Sequence, residues 1–244
     1  MDRFYLAGEL WNGPVSLKGD EAHHCRRVMR KKVGDGIEVF DGEGRSAPAE
    51  ITAISSNEVE LVLGEQSQGE PLSPSLEIAV GIPKGKNFDL IIQKAVEMGV
   101  SRIQPLVTDQ GNVRITDKGH GSKREKWQRV ALEACKQCGQ NFLPQVAEAS
   151  ELSAWLAESR DGLNFVGALQ ERSRPFRELL NEAGSPGAVT LLIGPEGDFS
   201  TREYQEIAGQ GFAPVDLGEL VLRTETAVFA MVAAVRYQFQ RPRR

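Results

Sequence analysis

Leu191-Leu192-Ile193-Gly194-Pro195-Glu196-Gly197-Asp198-Phe199-Ser200 decides how the 244-residue chain is to be read. Val189 to Ile193 is a short, β-branched apolar run suited to a buried parallel strand. Ser200 and Glu203 have the spacing of a capping box, so a helix is expected from Thr201 onward. The charged turn between them lies at the carboxyl end of a strand, where open α/β sheets bind ligands. Gly194 and Gly197 let a backbone approach a ligand closely, Pro195 fixes the turn, and Glu196 is an acceptor without a basic neighbour in sequence. The segment reads as a ligand loop, although a plain strand-to-helix turn has the same local grammar.

Working outward from this loop, the chain alternates strands and helices from Leu76 to its end. Leu76 to Ile82 is a strand, Phe88, Ile91, Ile92, Ala95 and Val96 mark a helix stopped at Gly99, and Arg102 to Val107 is a strand. Helices follow over Ser122 to Cys138 and around Trp155, then a strand over Leu163 to Leu169 and a short helix from Pro175. Phe212 to Leu217 is the last strand, and Thr224 to Tyr237 is a helix apolar nearly all round, which implies burial on several sides. This alternation predicts an α/β unit with a mainly parallel sheet and helices on both faces.

The first 66 residues have a shorter period. Strands are expected at Phe4 to Leu6, Ile37 to Phe40, Ala49 to Ile54 and Val59 to Leu63, with turns at Gly34 to Gly36 and Asp41 to Gly44, as in a small β-barrel or sandwich. Between them, Asp20 can cap a short helix over Gly19 to Met29 whose stripe of Cys25, Val28 and Met29 faces the barrel. Glu65 to Ser75 is polar and carries proline and serine, which makes it a linker with a boundary near residue 72. The expected domains are therefore residues 1–70 and 73–244.

Bulk properties exclude several classes. The net charge of −5 argues against a protein that coats nucleic acid indiscriminately. The start lacks a charged segment followed by an apolar one, and the longest apolar run, Ala227 to Val235, is too short to span a bilayer, so no membrane association and a cytoplasmic location are expected. Three cysteines, with Cys135 and Cys138 in a single C-x-x-C, support neither a disulfide framework nor a zinc site, and helical spacing turns both of these thiols toward a core.

Local charge is more informative. Residues 18–32 carry six basic side chains against two acidic ones, and His23, His24, Arg26, Arg27 and Arg30 stand where they meet RNA phosphates or form a solvated helix face. Gly81 to Asn87 is one residue short of a P-loop and lacks its final Ser or Thr, and no G-x-G-x-x-G follows a strand, which makes ATP and NAD poor candidates. Lys84 and Lys86 nevertheless stand at a helix start, and Lys123 and Arg124 near another. Two basic zones suggest an extended polyanion.

The second informative stretch is Leu217-Gly218-Glu219-Leu220-Val221-Leu222-Arg223-Thr224-Glu225-Thr226-Ala227. Thr224 can cap the apolar helix that follows. Arg223, set between an apolar strand end and that helix, calls for a carboxylate or an anionic ligand, and Glu196 is the obvious protein partner.

These two loops, with Glu21-Ala22-His23-His24 ahead of Arg26-Arg27-Val28-Met29-Arg30 and with Gln93-Lys94-Ala95-Val96-Glu97-Met98-Gly99-Val100, carry a resemblance that runs nearly end to end. The chain resembles the SPOUT superfamily of methyltransferases, and within it the branch that methylates N3 of a uridine in 16S ribosomal RNA. The resemblance implies a PUA-like RNA-binding barrel, a SPOUT α/β domain with a deep trefoil knot, S-adenosyl-L-methionine as methyl donor, 16S rRNA or the small ribosomal subunit as partner, and a homodimer. It makes Leu169, Ile193, Gly194, Pro195, Glu196, Gly197, Leu217, Gly218, Leu220, Leu222, Arg223 and Thr224 the expected cofactor contacts. Arg223 is expected to stabilise the uridine N3 anion, with Glu196 or Glu225 orienting the base or taking its proton. No metal is expected, because His23, His24 and His120 are scattered. Lys136 and Gln140 depart from the acidic and basic residues usual in the family. The alternative is an RNA-binding module without catalysis whose second domain only dimerises; Arg223 beside two glycine turns favours the enzyme.

Overall fold

The computed structural model of the protein describes residues 1–11, 14–85, 87–111, 120–170 and 172–239, with residues 120–122 as backbone only. It divides into two compact units, Met1–Pro71 with Leu132–Leu143, and Leu72–Ala131 with Pro144–Arg244.

In the first unit β1 (Arg3–Tyr5), β2 (Val15–Lys18), β3 (Gly36–Phe40), β4 (Arg45–Ile54), β5 (Glu58–Leu63) and β6 (Ser67–Gln68) form one sheet in the order β1-β3-β4-β5-β2, with β6 on β4. β1 and β3 are parallel and the other pairs antiparallel. Alternation along the strands buries Phe4, Leu17, Ile37, Val39, Ile51 and Val59 in one core. The Asp41 to Gly44 turn has a local cause: Asp41 Oδ1 accepts from the N–H groups of Glu43 (2.7 Å) and Arg45 (3.0 Å). β6 ties Ser67 and Gln68 of the expected linker into the sheet, which polar composition could not reveal.

The basic helix differs from expectation. α1 (Gly19–His23) starts after Lys18, with no side-chain cap from Asp20, and continues as a π-helical turn over His24–Val28. The wider turn throws the following residues off the stripe. Ala22 and Cys25 are buried, while Val28 is 58% and Met29 37% exposed. Arg26 donates to the Ser56 carbonyl, and His23, Arg27 and Arg30 are exposed.

The segment Leu132–Leu143 belongs to this unit through Arg3, whose guanidinium donates to Glu38 Oε1 (3.0 Å), the Cys135 carbonyl (2.8 Å) and Asn141 Oδ1. Lys136 pairs with Glu21 and Glu133, and Gln140 Oε1 accepts the Phe142 N–H (3.2 Å), so both departures from the family pattern have partners within the unit. Burial pushes the Cys135 thiol up to about 12 and the Cys25 thiol to about 11. Cys138 is exposed, contrary to the expectation that both thiols of the pair face a core. It falls three residues after Cys135, on the flank of the buried stripe.

The second unit contains β7 (Ser75–Gly81), α2 (Asn87–Glu97), β8 (Arg102–Val107), most of α3 (His120–Cys138), β9 (Gln145–Val146), β10 (Ser150–Glu151), α4 (Leu152–Leu156), β11 (Leu163–Gly167), β12 (Arg174–Pro175), α5 (Phe176–Glu182), β13 (Ala188–Ile193), α6 (Thr201–Gly209), β14 (Ala213–Asp216) and α7 (Thr224–Phe239). The strands run β10-β8-β7-β13-β11-β14-β12, with β9 on β8, and every pair is parallel. β13, read from the sequence as a buried strand, lies between β7 and β11. Leu192 joins Ala79, Leu106 and Val166 in a cluster with Trp155 of α4 and Ile207 of α6. Strand alternation sends the neighbouring Leu191 and Ile193 to the opposite face, and α7, packed with α2 and α5, covers β13.

α7, expected to be buried on several sides, leaves one face open. Val228, Met231, Val232 and Val235 are buried, but Thr226, Ala230, Ala233 and Tyr237 form an exposed stripe at helical spacing. Among the described residues no helix is long and apolar enough to cross a membrane.

Candidate active site

Three loops meet beyond the carboxyl ends of β11, β13 and β14. They are built by different local devices. After β13, the Pro195 carbonyl accepts the Asp198 N–H (2.9 Å), closing a turn in which Asp198 takes a left-handed φ of 62°. Tyr204 OH donates to Asp198 Oδ1 (2.8 Å) and holds that turn against α6. Burial first, then the Asp198 carboxylate, raises the Tyr204 phenol above its ordinary value, so it stays a donor.

The capping box read from the sequence is complete: Ser200 Oγ accepts the Glu203 N–H (3.3 Å), and Glu203 Oε2 accepts the Ser200 N–H (2.7 Å). Glu203 is buried because its other oxygen accepts the Asp109 N–H (2.8 Å) from the loop after β8. Asp109 in turn accepts from Ser200 Oγ (2.7 Å) and Arg202 (2.8 Å), which hold its carboxyl below the usual range. Glu203→Ala therefore leaves two backbone N–H groups without acceptors, each costing roughly 1–3 kcal/mol where buried. The melting temperature is expected to fall, and less for Glu203→Gln, which keeps one carbonyl acceptor. Equal melting temperatures for Glu203→Ala and the wild type would refute this bridging role.

The third device joins the two late loops. Thr224 was expected to cap α7; instead α7 begins at Thr224, whose buried Oγ1 donates to the Gly194 carbonyl (3.1 Å). The Arg223 carbonyl accepts the first helical bond, from Ala227 N–H (2.9 Å). Ahead of it, Gly218 needs its glycine, with φ of 119°, and its N–H goes to Asp216 Oδ1 (2.9 Å). From Leu217 to Leu222 this is the one backbone N–H bond formed among the described residues. The loop's other backbone N–H groups have no protein partner among the described residues.

The loops enclose a cleft of about 260 Å³. Of the residues expected around a cofactor, Leu169, Ile193, Gly194, Pro195, Glu196, Leu217, Gly218, Leu220, Leu222, Arg223 and Thr224 line it. Gly197 does not; its α-carbon faces Gln110, where a methyl would lie 3.0 Å from Gln110 Cβ. Glu225 lies in the first turn of α7, outside the lining. Gly167, Ala168, Asp198, Val215, Asp216, Val221 and Ala227 line the cleft and were missed. Asp198, Val221 and Ala227 stand inside the two quoted loops, and Gly167, Ala168, Val215 and Asp216 at the ends of the strands read over Leu163 to Leu169 and Phe212 to Leu217.

Arg223 and Glu196 do not pair. Glu196 Oε1 accepts the Lys84 backbone N–H (3.1 Å), and Arg223 is exposed at the cleft. Exposure removes the need for a buried counter-ion that the apolar neighbours had suggested. Of the other basic residues, Lys84, Lys123 and Arg124 are exposed in the second unit, and Lys86 and the His120 side chain lie outside the described residues. Among the described residues no three His, Cys, Asp or Glu side chains gather as metal ligands.

A parallel α/β sheet with an apolar cleft at its strand ends, following a small β unit, defines a ligand-binding enzyme domain joined to an accessory module. Family models agree: residues 70–236 match an RNA methyltransferase domain and residues 17–64 an RNA methyltransferase PUA domain. The chain belongs to the ribosomal RNA small subunit methyltransferase E family. It is 31% identical over 229 residues to that enzyme of Bacillus subtilis, covering 91% of this chain and 90% of the relative. It superposes on a Legionella pneumophila methyltransferase solved with the bound cofactor SAM, with a TM-score of 0.90, 29% identity and 97% of each chain covered. The Neisseria gonorrhoeae ribosomal RNA small subunit methyltransferase E, bound to S-adenosyl methionine, gives a TM-score of 0.89 at 28% identity, again covering 97% of each chain.

Proposed function

We propose that the protein methylates N3 of a uridine in the 16S rRNA of the small ribosomal subunit, using S-adenosyl-L-methionine held in the three-loop cleft. The observation that carries this reading is the cleft itself, with its apolar walls and unpaired backbone between Leu217 and Leu222, in a chain of this family. Apolar side chains suit the adenine face and the methylene groups of the cofactor, and free amide edges suit a purine rim. When bound, the cofactor supplies an activated methyl group from its sulfonium.

The protein's own work is on the base. Uridine N3 is a poor nucleophile until its proton leaves, and the charge then spreads to the flanking carbonyl oxygens. Arg223, exposed at the cleft and free of an ion pair among the described residues, stabilises that charge. Glu196, fixed by the Lys84 N–H, or Glu225 at the start of α7 orients the base or takes the proton. His23, His24, Arg26, Arg27 and Arg30 in the first unit and Lys84, Lys86, Lys123 and Arg124 in the second are the RNA contacts of this reading, with residues 1–70 as the barrel and 73–244 as the knotted catalytic domain, acting in the cytoplasm.

A thermal melt with S-adenosylmethionine tests the reading, because a ligand bound by the folded state stabilises it by about 2.7 kcal/mol at one hundred times Kd. The melting temperature is expected to rise. No shift at millimolar ligand would favour a non-catalytic RNA-binding module.

The enzyme is proposed to be a homodimer, supported by the stripe Thr226, Ala230, Ala233 and Tyr237 of α7 and by exposed Leu169, Leu220 and Val221 at the cleft rim. Sedimentation should show a dimer for the wild type and a monomer for Ala233→Arg. A monomeric wild type at micromolar concentration would refute it.

A further inference from the structure

A second cleft, of about 330 Å³, lies in the same unit, between the turn after β7 and the first turns of α2 and α3. Phe88 and Trp127 form its floor, packed edge to face at 4.6 Å between ring centroids and both buried. Its rim carries Lys84, Lys123 and Lys126 against one carboxylate, Asp89. Lys126 pairs with Asp89 at 2.6 Å, which consumes that carboxylate. Lys84 and Lys123 make no ion pair among the described residues and are exposed. A concave site with two uncommitted ammonium groups selects an anion.

The position of this cleft bears on which anion it meets. Lys84 connects the two clefts: it lines the second, while its backbone N–H holds Glu196, which lines the first. The turn after β7 thus links the two clefts through Lys84, with Ile82 and Pro83 buried beneath it.

We propose that the second cleft binds a phosphodiester flanking the target nucleotide, with Lys84 and Lys123 as the contacts that place the strand across Glu196. This deepens the RNA-methylation reading and rests on it. The buried rings are a floor and not a stacking platform, so the cleft reads backbone rather than base, and its contribution is strand position rather than sequence choice.

Lys84→Ala tests the idea cleanly, because the bond to Glu196 comes from the backbone and survives the substitution. The full-length Lys84→Ala/Lys123→Ala protein is compared with the wild type and with Arg177→Ala, which removes an exposed charge from α5. A fluorescein-labelled single-stranded RNA rich in uridine gives the salt dependence of binding, and naked 16S rRNA and assembled small subunits give KM and kcat. The double variant is expected to lose about 1.4 from the magnitude of the salt slope, since each phosphate contact on single strands contributes about 0.7. KM for RNA should rise several-fold, S-adenosylmethionine affinity should stay unchanged, and Lys84→Arg/Lys123→Arg should restore the slope, because lysine acts on phosphate as a point charge. An unchanged slope and KM would overturn the proposal. So would a loss confined to assembled subunits with naked RNA normal, which would assign the cleft to a protein partner. A wild type that binds no S-adenosylmethionine and methylates no RNA would refute the enzymatic reading, while the salt slope would still report on the cleft.

Discussion

Replacing Arg223 by alanine is expected to slow methyl transfer by roughly two to three decades, the scale of losing one preorganised donor to a developing anion. The structure sharpens this expectation by removing its main structural rival. Were Arg223 the partner of Glu196, its loss would strand a carboxylate and destabilise the loop. Glu196 is instead held by the Lys84 N–H, and Arg223 is exposed at the cleft. Its carbonyl bond to Ala227 N–H comes from the backbone and is kept in the variant. Melting temperature and S-adenosylmethionine affinity should therefore stay near wild type while the single-turnover rate collapses. A rate within a few-fold of wild type would refute the catalytic role, and a lowered melting temperature with a normal rate would return Arg223 to a structural one.

What could be read from the sequence was what is encoded locally. The strand Ala188–Ile193 and the capping box of Ser200 and Glu203 depend on neighbours within a few positions, and both are present. The two late loops stood out in the sequence through their glycines and charged residues at strand ends, and both line the cleft. Effects requiring distant chain to meet were not legible. Nothing near Glu203 in sequence points to the Asp109 N–H, and nothing near Glu196 points to Lys84, yet these bonds set the shape of the first loop. Thr224 was assigned the cap that its neighbours allow, while its hydroxyl goes to Gly194, thirty positions away. The π-helical turn at His24–Val28 adds one residue to a helical repeat, and period counting assumes that none is added. Strand β2 was missed because four residues after Pro14 give too short an alternation to separate from a turn.

Gly81→Ala is expected to impair ligand binding from outside the cleft. In sequence Gly81 looked like the first glycine of a defective P-loop; in the fold it ends β7 beside the start of the first loop. A methyl group there would lie 2.5 Å from Pro195 Cδ, 2.7 Å from the Pro195 nitrogen and 3.2 Å from the Gly194 carbonyl carbon. Gly81 is not among the residues with positive φ, so alanine suits its own backbone, and the whole effect falls on the neighbour. Backbone and a proline ring cannot swing aside as a side chain can, so Gly194 and Pro195 must shift together. Overpacking of this kind costs roughly 1–3 kcal/mol. For a chain of this size each kcal/mol lowers Tm by about 2–4 °C. The displacement also moves the Gly194 carbonyl that accepts from Thr224, and through it the junction of the two loops around the cleft. S-adenosylmethionine affinity is expected to fall by about tenfold or more, the equivalent of about 1.4 kcal/mol or more. Gly85→Ala separates the two effects: Gly85 has φ of 70° with open space around it, so alanine there strains the turn without touching Pro195. If Gly81→Ala lowers Tm but leaves cofactor affinity intact, the contact with Pro195 supports the fold alone and does not shape the cleft.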